Sequence, residues 1–436
     1  MPATSLFLAA ISLAIWIYLT LARGIFWRLG PFNDDEAIHA SPSTWPRVTA
    51  IIPARNEADT IGQTIAALVQ QDYPGEFSVI VVDDHSEDQT PQIAQQSAKD
   101  NGAQSRVIVH AASPLPPGWT GKLWALNEGL LNSSLLAKHS REGTVFQEGS
   151  LLREGLVLRE GTASAVPKRA PDYGALAPEG SFHKPAPTYF WFTDADIVHA
   201  PDTLRRLVAR AEQNKLDLAS LMVLLHTETL PERALIPAFL FFFLKLYPPR
   251  WIANPKSRTA GAAGGCILLR REALDRIGGL AAIRGEVIDD CVLARAVKRS
   301  GGKIWMSLTR TSRSLRAYVT FGEIRDMIAR TAFTQLGYSK LLLLGTLVGM
   351  FLTYLAPIAF LFAHNHAARI LALASWLLMT LLLLPTVRFY RLSPLWAPLL
   401  PLSAVFYAYA TWLSALRYWL NRGAQWKGRS QAPRAV

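Results

Sequence analysis

Four long runs without a charged residue constrain the fold of this chain more than any other feature. They are Pro2 to Ala22, Leu341 to Ala363, Ile370 to Val387 and Leu392 to Leu416. A hydrocarbon core of about 30 Å needs roughly 20 apolar residues in a helix, so each run is long enough to cross a bilayer. The first run has no basic residues before it, which favours an uncleaved anchor over a cleaved signal peptide. A buried core helix is the alternative for each run.

Basic residues that flank the runs predict the orientation. Arg23 and Arg28 follow the first run and Lys340 precedes the second, so the region between them is expected in the cytoplasm. The fourth run is interrupted early by prolines, and a full crossing would leave the basic tail 421–436 outside, against the same rule. The sequence therefore leaves open whether the fourth run crosses, and predicts a membrane region of two to three hydrophobic helices over 340–420.

A shorter apolar stretch, Ala234 to Leu244, lies between Arg233 and Lys245. It is too short to span a bilayer. It is expected to lie with an apolar face in the membrane interface or to form a core helix.

Composition narrows the class of protein. Only 18% of the residues are charged and 50% are hydrophobic, which excludes disorder over most of the chain. Two cysteines exclude a disulfide scaffold or a cysteine-rich metal module. The net charge of +12 would suit a nucleic-acid binder. However, many basic residues flank the apolar runs or lie in the tail, and the sequence has no nucleic-acid motif. No nucleic-acid partner is therefore expected. A transporter would need ionisable residues inside the runs, and they contain none.

Between the first two runs, short β-branched segments alternate with helical patterns. The predicted strands are Val48 to Ile52, Phe77 to Val82 and Arg106 to Val109, separated by helices over 59–71 and 91–100. This alternation predicts a parallel α/β sheet whose ligands bind at the carboxyl ends of the strands. Polar residues do follow the first two strands. Pro53 is expected to end the first strand, and Arg55, Asn56 and Glu57 come after it. Asp83 and Asp84 follow the second strand.

A further predicted strand, Tyr189 to Thr193, ends in Asp194-Ala195-Asp196. Two carboxylates at this spacing can form a hard-oxygen site for Mg²⁺ or Mn²⁺ that also binds substrate phosphates. Two solvated aspartates in a turn are the alternative.

The region 135–187, before this strand, differs from the strand and helix pattern. Arg-Glu-Gly or Gln-Glu-Gly recurs there every six residues, and a Pro- and Ala-rich stretch follows. It is interpreted as a low-complexity surface insertion.

Taken together, these motifs resemble those of a family 2 glycosyltransferase of the GT-A fold. The resemblance covers residues 47–330, the expected catalytic domain, between an anchor at 1–23 and the membrane region. It rests on segments that occur in the family's order: Ile52-Pro-Ala-Arg-Asn-Glu57, Val82-Asp-Asp-His-Ser-Glu-Asp-Gln-Thr90, Gly121-Lys-Leu-Trp-Ala-Leu-Asn-Glu-Gly129, Thr193-Asp-Ala-Asp196, Gly264-Gly265, and Asp289-Asp290-x-x-Leu293-Ala294. It implies a Rossmann-like, mostly parallel sheet.

The resemblance also implies the roles of individual residues. Asp290 is expected to be the general base with Asp289 as its partner, and Asp196 with Asp194 is expected to bind the divalent metal. The alternative is that Asp289 and Asp290 only stabilise the N-terminus of a helix through the helix dipole, by about 0.5 kcal/mol. The expected nucleotide-sugar contacts are Pro53, Arg55, Asn56, Glu57, Asp83, Asp84, Lys122, Asp194 and Arg330.

One departure from the family pattern concerns the end of the catalytic domain. Processive and ceramide-type members carry Q-x-x-R-W there, whereas this chain has Met327-Ile-Ala-Arg330-Thr331. This argues against a processive polysaccharide synthase. The segment Leu115 to Lys122 and the arrangement of apolar runs look most like bacterial hopanoid-associated glycosyltransferases.

The expected function is therefore inverting transfer from a nucleoside-diphosphate sugar, such as a UDP-sugar, to a lipid, with a hopanoid as the implied acceptor. Ceramide, diacylglycerol or polyprenyl phosphate acceptors and a non-catalytic GT-A-fold membrane protein are the alternatives. The expected location is the bacterial inner membrane, as a multi-pass protein with a cytoplasmic catalytic domain.

Overall fold

The computed structural model describes residues 2–30, 42–133 and 187–421, together with the short strands 425–426 and 429–430. The predicted insertion 135–187 lies outside the described residues except for its last residue, and most of the predicted tail 421–436 lies outside them too.

The described strands fall into one large sheet and one small hairpin. Their bounds are β1 Val48–Ala54, β2 Phe77–Asp83, β3 Val107–Ala111, β4 Tyr189–Phe192, β5 Ile197–Val198, β6 Leu218–Leu224, β7 Ile267–Arg270, β8 Ile304–Ser314, β9 Gln425–Trp426 and β10 Arg429–Ser430.

The described helices belong either to the catalytic domain or to the apolar runs. Those of the domain are α2 Ile61–Val69, α3 Thr90–Asp100, α4 Gly121–Asn132, α5 Thr203–Asn214, α6 Leu230–Leu246, α7 Pro249–Ala253, α8 Arg271–Arg276, α9 Asp289–Arg299 and α10 Phe321–Gln335. Those of the runs are α1 Pro2–Leu21, α11 Lys340–Met350, α12 Ala356–Phe360, α13 His366–Phe389 and α14 Leu400–Trp419.

The large sheet is mixed, with the strand order β3-β2-β1-β4-β7-β6-β8-β5. Four neighbouring pairs are parallel and three are antiparallel. The parallel half, β3-β2-β1-β4, is the α/β unit that the sequence predicts. The antiparallel pairs come from β7, which runs against both β4 and β6, and from β5. The expected α/β class with a Rossmann-like half is confirmed.

The first strand continues through Pro53, so the prediction that this proline ends the strand is wrong. Pro53 pairs with Val82 of β2, while the pairing of β1 with β4 ends at Ile51. Beyond Ile51 the strand therefore has a ladder partner on one side only. A proline is tolerated where no partner requires its missing N–H group.

Side chains of the parallel strands alternate between two apolar cores. Ala50 and Ile52 of β1 face α2, α3 and α5, whereas Ile51 faces α4 and the helices on the membrane side. Helix α4 approaches β1 so closely that a Cβ built on Gly129 would lie 2.4 Å from Ile51 Cγ2. This close packing of α4 on β1 explains why a glycine stands at position 129.

Four helical segments within the described residues are long and apolar enough to cross a membrane: Ala3–Leu21, Lys340–Phe360, His366–Phe389 and Pro394–Trp419. They correspond to the four apolar runs. The second contains a π-helical turn, Phe351–Leu355, between α11 and α12. Trp16 of α1 donates its indole N–H to the carbonyl of Thr353 in that turn at 2.8 Å, which joins the first and second segments.

The apolar stretch 234–244 belongs to α6, which is mostly buried. The core-helix alternative is therefore the one observed. Tyr407 of α14 donates a hydrogen bond to the carbonyl of Leu235 at 3.0 Å, and Phe241 packs on Phe26 with ring centroids 5.1 Å apart. Helix α6 is the element on which the apolar helices and the catalytic domain meet.

The end of α1 is attached to the same helix. The guanidinium of Arg23 donates to the carbonyl of Lys245 at 2.9 Å and lies 4.7 Å from the ring centroid of Trp251. A cation at the C-terminal end of a helix interacts favourably with the helix dipole. The basic residue that predicts membrane orientation thus also connects α1 to the catalytic domain.

Candidate active site

The loops after β1 and β2 are joined by hydrogen bonds from Arg55 and Asn56. Arg55 Nη1 donates to the carbonyls of Asp84 at 2.5 Å and His85 at 3.0 Å. Asn56 has a positive φ of 50°, and its amide N–H donates to Ser86 Oγ at 2.9 Å. These two residues hold the loops together, so their sequence-predicted place at the strand ends is confirmed, while any nucleotide contact remains a prediction.

Two adjacent aspartates end β2 and are buried. Asp84 is fully buried, and its amide N–H donates to the carbonyl of Ala54 at 2.8 Å. Asp83 Oδ2 accepts from the N–H of Ser86 at 3.2 Å, whereas Oδ1 has no hydrogen-bond partner among the described residues. A buried carboxylate oxygen without a partner carries a desolvation cost of about 1–3 kcal/mol or more. A donor group on a bound ligand would remove that cost.

Lys122 lies among three carboxylates. Its Nζ is 2.8 Å from Asp194 Oδ1 and 3.6 Å from Asp289 Oδ2. Burial alone would lower the pKa of Lys122, but Asp194, Asp289 and Asp290 together hold it well above the usual lysine value. Burial likewise favours a raised pKa for Asp194, and Lys122 overcomes this and lowers it. Lys122 is therefore a fixed cation and Asp194 a fixed anion.

Asp290 stands at the start of α9 and is held by two backbone amides. Oδ2 accepts from Gly264 N at 2.9 Å and Oδ1 accepts from Cys291 N at 2.7 Å. Burial, and then the neighbouring charge of Asp289, raise the pKa of Asp290 to about 6. A carboxylate with a pKa close to the working pH is well suited to general acid–base catalysis.

Asp196 is connected to the first loop through an arginine that sequence reasoning missed. Arg316 Nε donates to Asp196 Oδ2 at 2.7 Å, and its Nη2 donates to both carboxylate oxygens of Glu57, at 2.8 and 3.1 Å. Burial acts to lower the pKa of Arg316, but Asp196 and Glu57 raise it above its usual value. No sequence motif marks Arg316, which simply follows β8.

The segment that carries Arg316 is held in place by Glu232, the third residue of α6, which forms a capping box with Thr229. The fully buried carboxylate of Glu232 accepts from the N–H groups of Tyr318 at 2.6 Å and Thr229 at 2.9 Å, and His226 Nδ1 lies 2.8 Å away. Burial would raise the pKa of Glu232, but these hydrogen bonds lower it. Sequence reasoning missed this residue too, although the Thr-x-x-Glu pattern was available as a helix-start signal.

Thr193 and His199 support the end of β4. His199 is buried, with Nε2 2.9 Å from Thr193 Oγ1 and Nδ1 3.0 Å from Ser312 Oγ. Burial lowers the pKa of His199 to about 3, so the ring is neutral. Thr193 Oγ1 also lies 3.0 Å from the carbonyl of Gly265, next to the glycine that binds Asp290. This network connects the strand before Asp194 to the loop that holds Asp290.

Arg330 lies on α10 and is exposed. Its charge nevertheless contributes to the lowered pKa of Asp194, after those of Lys122 and Arg316. The structure therefore places Arg330 within electrostatic reach of the aspartates.

A cleft contains the centre of this arrangement. One part of its lining is charged or polar and the other is apolar. The lining residues include Pro53, Lys122, Thr193, Asp194, Gly264, Asp289 and Asp290, with Leu123, Leu126, Phe192, Leu280, Ile283 and Leu293.

The carboxylates fit a divalent cation that is shared with a phosphate ligand. The described residues include no cluster of three or more His, Cys, Asp or Glu side chains able to hold a metal by themselves. Asp194 and Asp196 supply two hard-oxygen donors at the end of β4. Mg²⁺ is commonly bound by one or two carboxylates together with substrate phosphates, so this donor set suits such a site.

Comparison with known proteins agrees with this architecture. The family model described as "Glycosyltransferase like family 2" matches residues 46–333. The chain belongs to this family, and its catalytic domain is a glycosyltransferase domain of the GT-A type. The family assignment and fold class from the sequence are thereby confirmed.

Individual relatives match over shorter stretches. The probable glycosyltransferase YdaM of Bacillus subtilis is 31% identical over 138 residues, which cover 30% of this chain and 31% of the relative. The beta-monoglucosyldiacylglycerol synthase of Synechocystis is 37% identical over 92 residues, 21% of this chain and 18% of that protein. The aligned parts thus span less than a third of each relative's length.

Among solved structures, a mannosyltransferase from Pyrobaculum calidifontis in complex with GDP-Man and Mn²⁺ has a similar fold. Its TM-score is 0.53 at 18% identity, and the alignment covers 94% of this chain and 99% of that one. The likeness therefore extends beyond the catalytic domain to the apolar helices.

Proposed function

We propose that this chain is a membrane-bound, inverting glycosyltransferase that transfers a sugar from a nucleoside-diphosphate sugar to a lipid. The carrying observation is the cluster in which Lys122 lies 2.8 Å from Asp194 and 3.6 Å from Asp289, beside an Asp290 carboxylate with its pKa raised to about 6. A fixed cation and a tunable base in one cleft suit transfer from an anionic donor to a hydroxyl group.

The loops after β1 and β2 are proposed to bind the nucleoside. Asp83 offers a buried acceptor oxygen without a partner among the described residues, and Asp84 lies beside it at the strand end. Arg55 and Asn56 bind the opposite loop, so they order the pocket in which we propose that they also contact the nucleotide. Pro53 lines the cleft between these loops and Lys122.

The diphosphate is proposed to lie between Lys122 and Arg316, close to Asp194 and Asp196. Glu57 orients Arg316 through two hydrogen bonds, and Arg330 adds positive potential from α10. A divalent cation, held by Asp196 and Asp194, would neutralise charge that develops on the leaving diphosphate. Preorganised cations near a leaving group stabilise the transition state because they need little reorganisation during the reaction.

Asp290 is proposed to take the proton of the acceptor hydroxyl. The acceptor oxygen forms a bond to the anomeric carbon while the bond from that carbon to the phosphate oxygen breaks, and the nucleoside diphosphate leaves. One in-line displacement inverts the anomeric centre. The amides of Gly264 and Cys291 keep the carboxylate oriented, and the charge of Asp289 keeps it basic.

A lipid acceptor is supported by the apolar helices that pack directly on α6 of the catalytic domain. It is also supported by the partial match to a beta-monoglucosyldiacylglycerol synthase. Within this class we propose a hopanoid acceptor, from the resemblance stated above, with diacylglycerol, ceramide and polyprenyl phosphate as the competing acceptors. We place the catalytic domain in the cytoplasm of a bacterial cell, at the inner membrane.

The decisive experiment uses the full-length protein in detergent or in vesicles. Metal-dependent release of nucleoside diphosphate from a panel of UDP- and GDP-sugars is measured for the wild type, Asp196→Ala and Asp290→Asn. Both variants are expected to lose release. Normal turnover by both would show that the assigned site is wrong. Mass spectrometry of lipids from cells with and without the gene then tests the acceptor, and an unchanged hopanoid profile would exclude the hopanoid.

A further inference from the structure

The sequence leaves open whether the fourth apolar run crosses the membrane, and the packing of α14 bears directly on this question. Helix α14 runs beside α10 in the same direction. Near the start of α10, the rings of Phe321 and Phe406 lie 6.1 Å apart, and near its end the N–H of Phe333 donates to Ser414 Oγ at 3.0 Å. Phe333 also contacts the ring of Tyr418 at 5.5 Å. Most of α14 is thus aligned with α10.

Helix α10 carries too many charged side chains to lie in the hydrocarbon core of a membrane. It carries four charged side chains between its first and last contacts with α14, which are Glu323, Arg325, Asp326 and Arg330. Charged side chains at the centre of a membrane-spanning helix are strongly disfavoured. If α14 crossed the bilayer, its partner α10 would be drawn into the hydrocarbon with it.

Both ends of α14 contact elements of the catalytic domain. Near its start, Ser403 Oγ donates to the carbonyl of Ala234 and Tyr407 Oη donates to that of Leu235, each at 3.0 Å. Near its end, Arg417 Nη2 is 2.6 Å from Asp326 Oδ1. A helix that crosses a bilayer has its ends on opposite sides of about 30 Å of hydrocarbon. The contacts of α14 place both ends beside one domain.

The opposite face of α14 is exposed and uncharged. Its residues recur at helical spacing: Leu402, Val405, Tyr409, Trp412 and Leu416. Tyr and Trp side chains occur from Tyr407 to Trp419 rather than only at the two ends. Trp and Tyr concentrate at the membrane–water interface, so this distribution is typical of a helix that lies at that depth along its length.

We infer that α14 lies in the membrane interface on the side of the catalytic domain, with its Leu402–Leu416 stripe against lipid and its other face against α10 and α6. Within the residues that the structure describes, the chain then crosses the bilayer three times, through α1, the segment 340–360 and α13. Arg417 and the basic residues of the tail remain on the catalytic side, which agrees with the rule for basic loops. The inference concerns topology and does not depend on the proposed reaction.

Single-cysteine labelling of the full-length protein tests it. The native cysteines, Cys266 and Cys291, are buried and give a low background. His364→Cys lies in the loop before α13, Asn421→Cys follows α14, and Lys99→Cys marks the catalytic domain; all three positions are exposed. Each variant is treated with a membrane-impermeant maleimide in intact spheroplasts and after permeabilisation.

The inference predicts that Asn421→Cys behaves like Lys99→Cys and opposite to His364→Cys. Labelling of Asn421→Cys from the same side as His364→Cys would overturn it, because the fourth run would then cross. A second measurement uses nitroxide labels at Val405→Cys and Trp412→Cys in vesicles. An interfacial helix gives similar depths from oxygen and nickel-complex accessibility, whereas a crossing helix separates the two sites by about 10 Å.

Discussion

The ammonium group of Lys122 lies 2.8 Å from a carboxylate oxygen of Asp194. Lys122 comes from the start of α4, and Asp194 follows β4, on the other side of the insertion. This ion pair joins the helix that follows the β2–β3 unit to the strand end that carries both metal-binding candidates. It sets the charge of the whole cleft, since the same ammonium group also lies 3.6 Å from Asp289.

Replacing Lys122 should therefore affect more than donor binding. Lys122→Met removes the cation that lowers the pKa of both Asp194 and Asp290. We expect the KM for the donor to rise at least tenfold and the midpoint of the pH–rate profile to move to higher pH. Steady-state kinetics from pH 5 to 9 check this. An unchanged midpoint would show that Lys122 does not act on the base.

The pH dependence of the wild type should report Asp290. Its pKa is raised to about 6 by burial and by Asp289, and the base must be deprotonated to accept a proton. The rate should rise with pH through a midpoint near 6 and level off above it. Asp289→Asn removes the like charge, so its midpoint should move to lower pH. A shift in the other direction would contradict the assignment of Asp290 as base.

Asp290→Asn should lower the activity of the protein without lowering its thermal stability. Loss of a general base lowers the rate by roughly 10²–10⁴-fold. Because the folded-state pKa is raised, the native protein binds more protons than the unfolded chain between about pH 4 and 6, and stability from this group is lost as pH rises through that window. The neutral variant should be inactive at pH 7.5 with an equal or higher thermal midpoint. A much less stable variant would indicate a structural role.

Arg316 should control how strongly Asp196 binds a metal in the absence of donor. Its hydrogen bond to Asp196 Oδ2 at 2.7 Å must be broken or shared before that oxygen binds a cation. Arg316→Gln is expected to raise Mn²⁺ affinity several-fold, as measured by electron paramagnetic resonance of Mn²⁺ alone, while it weakens donor binding. Arg313→Gln, on an exposed neighbour in β8, is the matched control. Equal Mn²⁺ affinity in all three proteins would exclude this role.

Gly129 should tolerate no side chain. A Cβ there would lie 2.4 Å from Ile51 Cγ2, so Gly129→Ala must push α4 away from β1, at a cost of about 1–3 kcal/mol. Gly322→Ala in α10 is the control, because its nearest neighbour, Thr320 Oγ1, would be 3.6 Å away. Thermal unfolding in detergent should show a lower midpoint for Gly129→Ala alone. Equal midpoints would contradict the packing argument.

Local patterns in the chain were sufficient to predict much of the fold. Helical spacing and β-branched runs predicted the β1-α2-β2-α3-β3 order within one or two residues at most ends, because these signals come from neighbouring positions. Pro53 was misjudged since its tolerance depends on where the β4 pairing stops, at Ile51. The role of β7, which makes the sheet mixed, depends on pairing between residues far apart in the chain.

The residues of the candidate site also fall into those that the sequence predicted and those that only the fold revealed. Motifs predicted Lys122, Asp194, Asp289 and Asp290 as members of one site, and the structure brings them together. Arg316 was missed because its partners, Asp196 and Glu57, lie far away in sequence. His199 was missed for a related reason, since its burial and its partners Thr193 and Ser312 appear only in the fold. Glu232 was missed although the Thr-x-x-Glu pattern marks it as a helix-start residue.

The uncharged runs by themselves determined that this chain has apolar helices of membrane-spanning length, because length and hydropathy are properties of consecutive residues. They could not determine whether each helix crosses. Only the tertiary structure aligned α14 with the charged helix α10 and paired Arg417 with Asp326. The free energy of placing a helix in lipid depends on the neighbours that must enter with it, and those neighbours are defined by the fold.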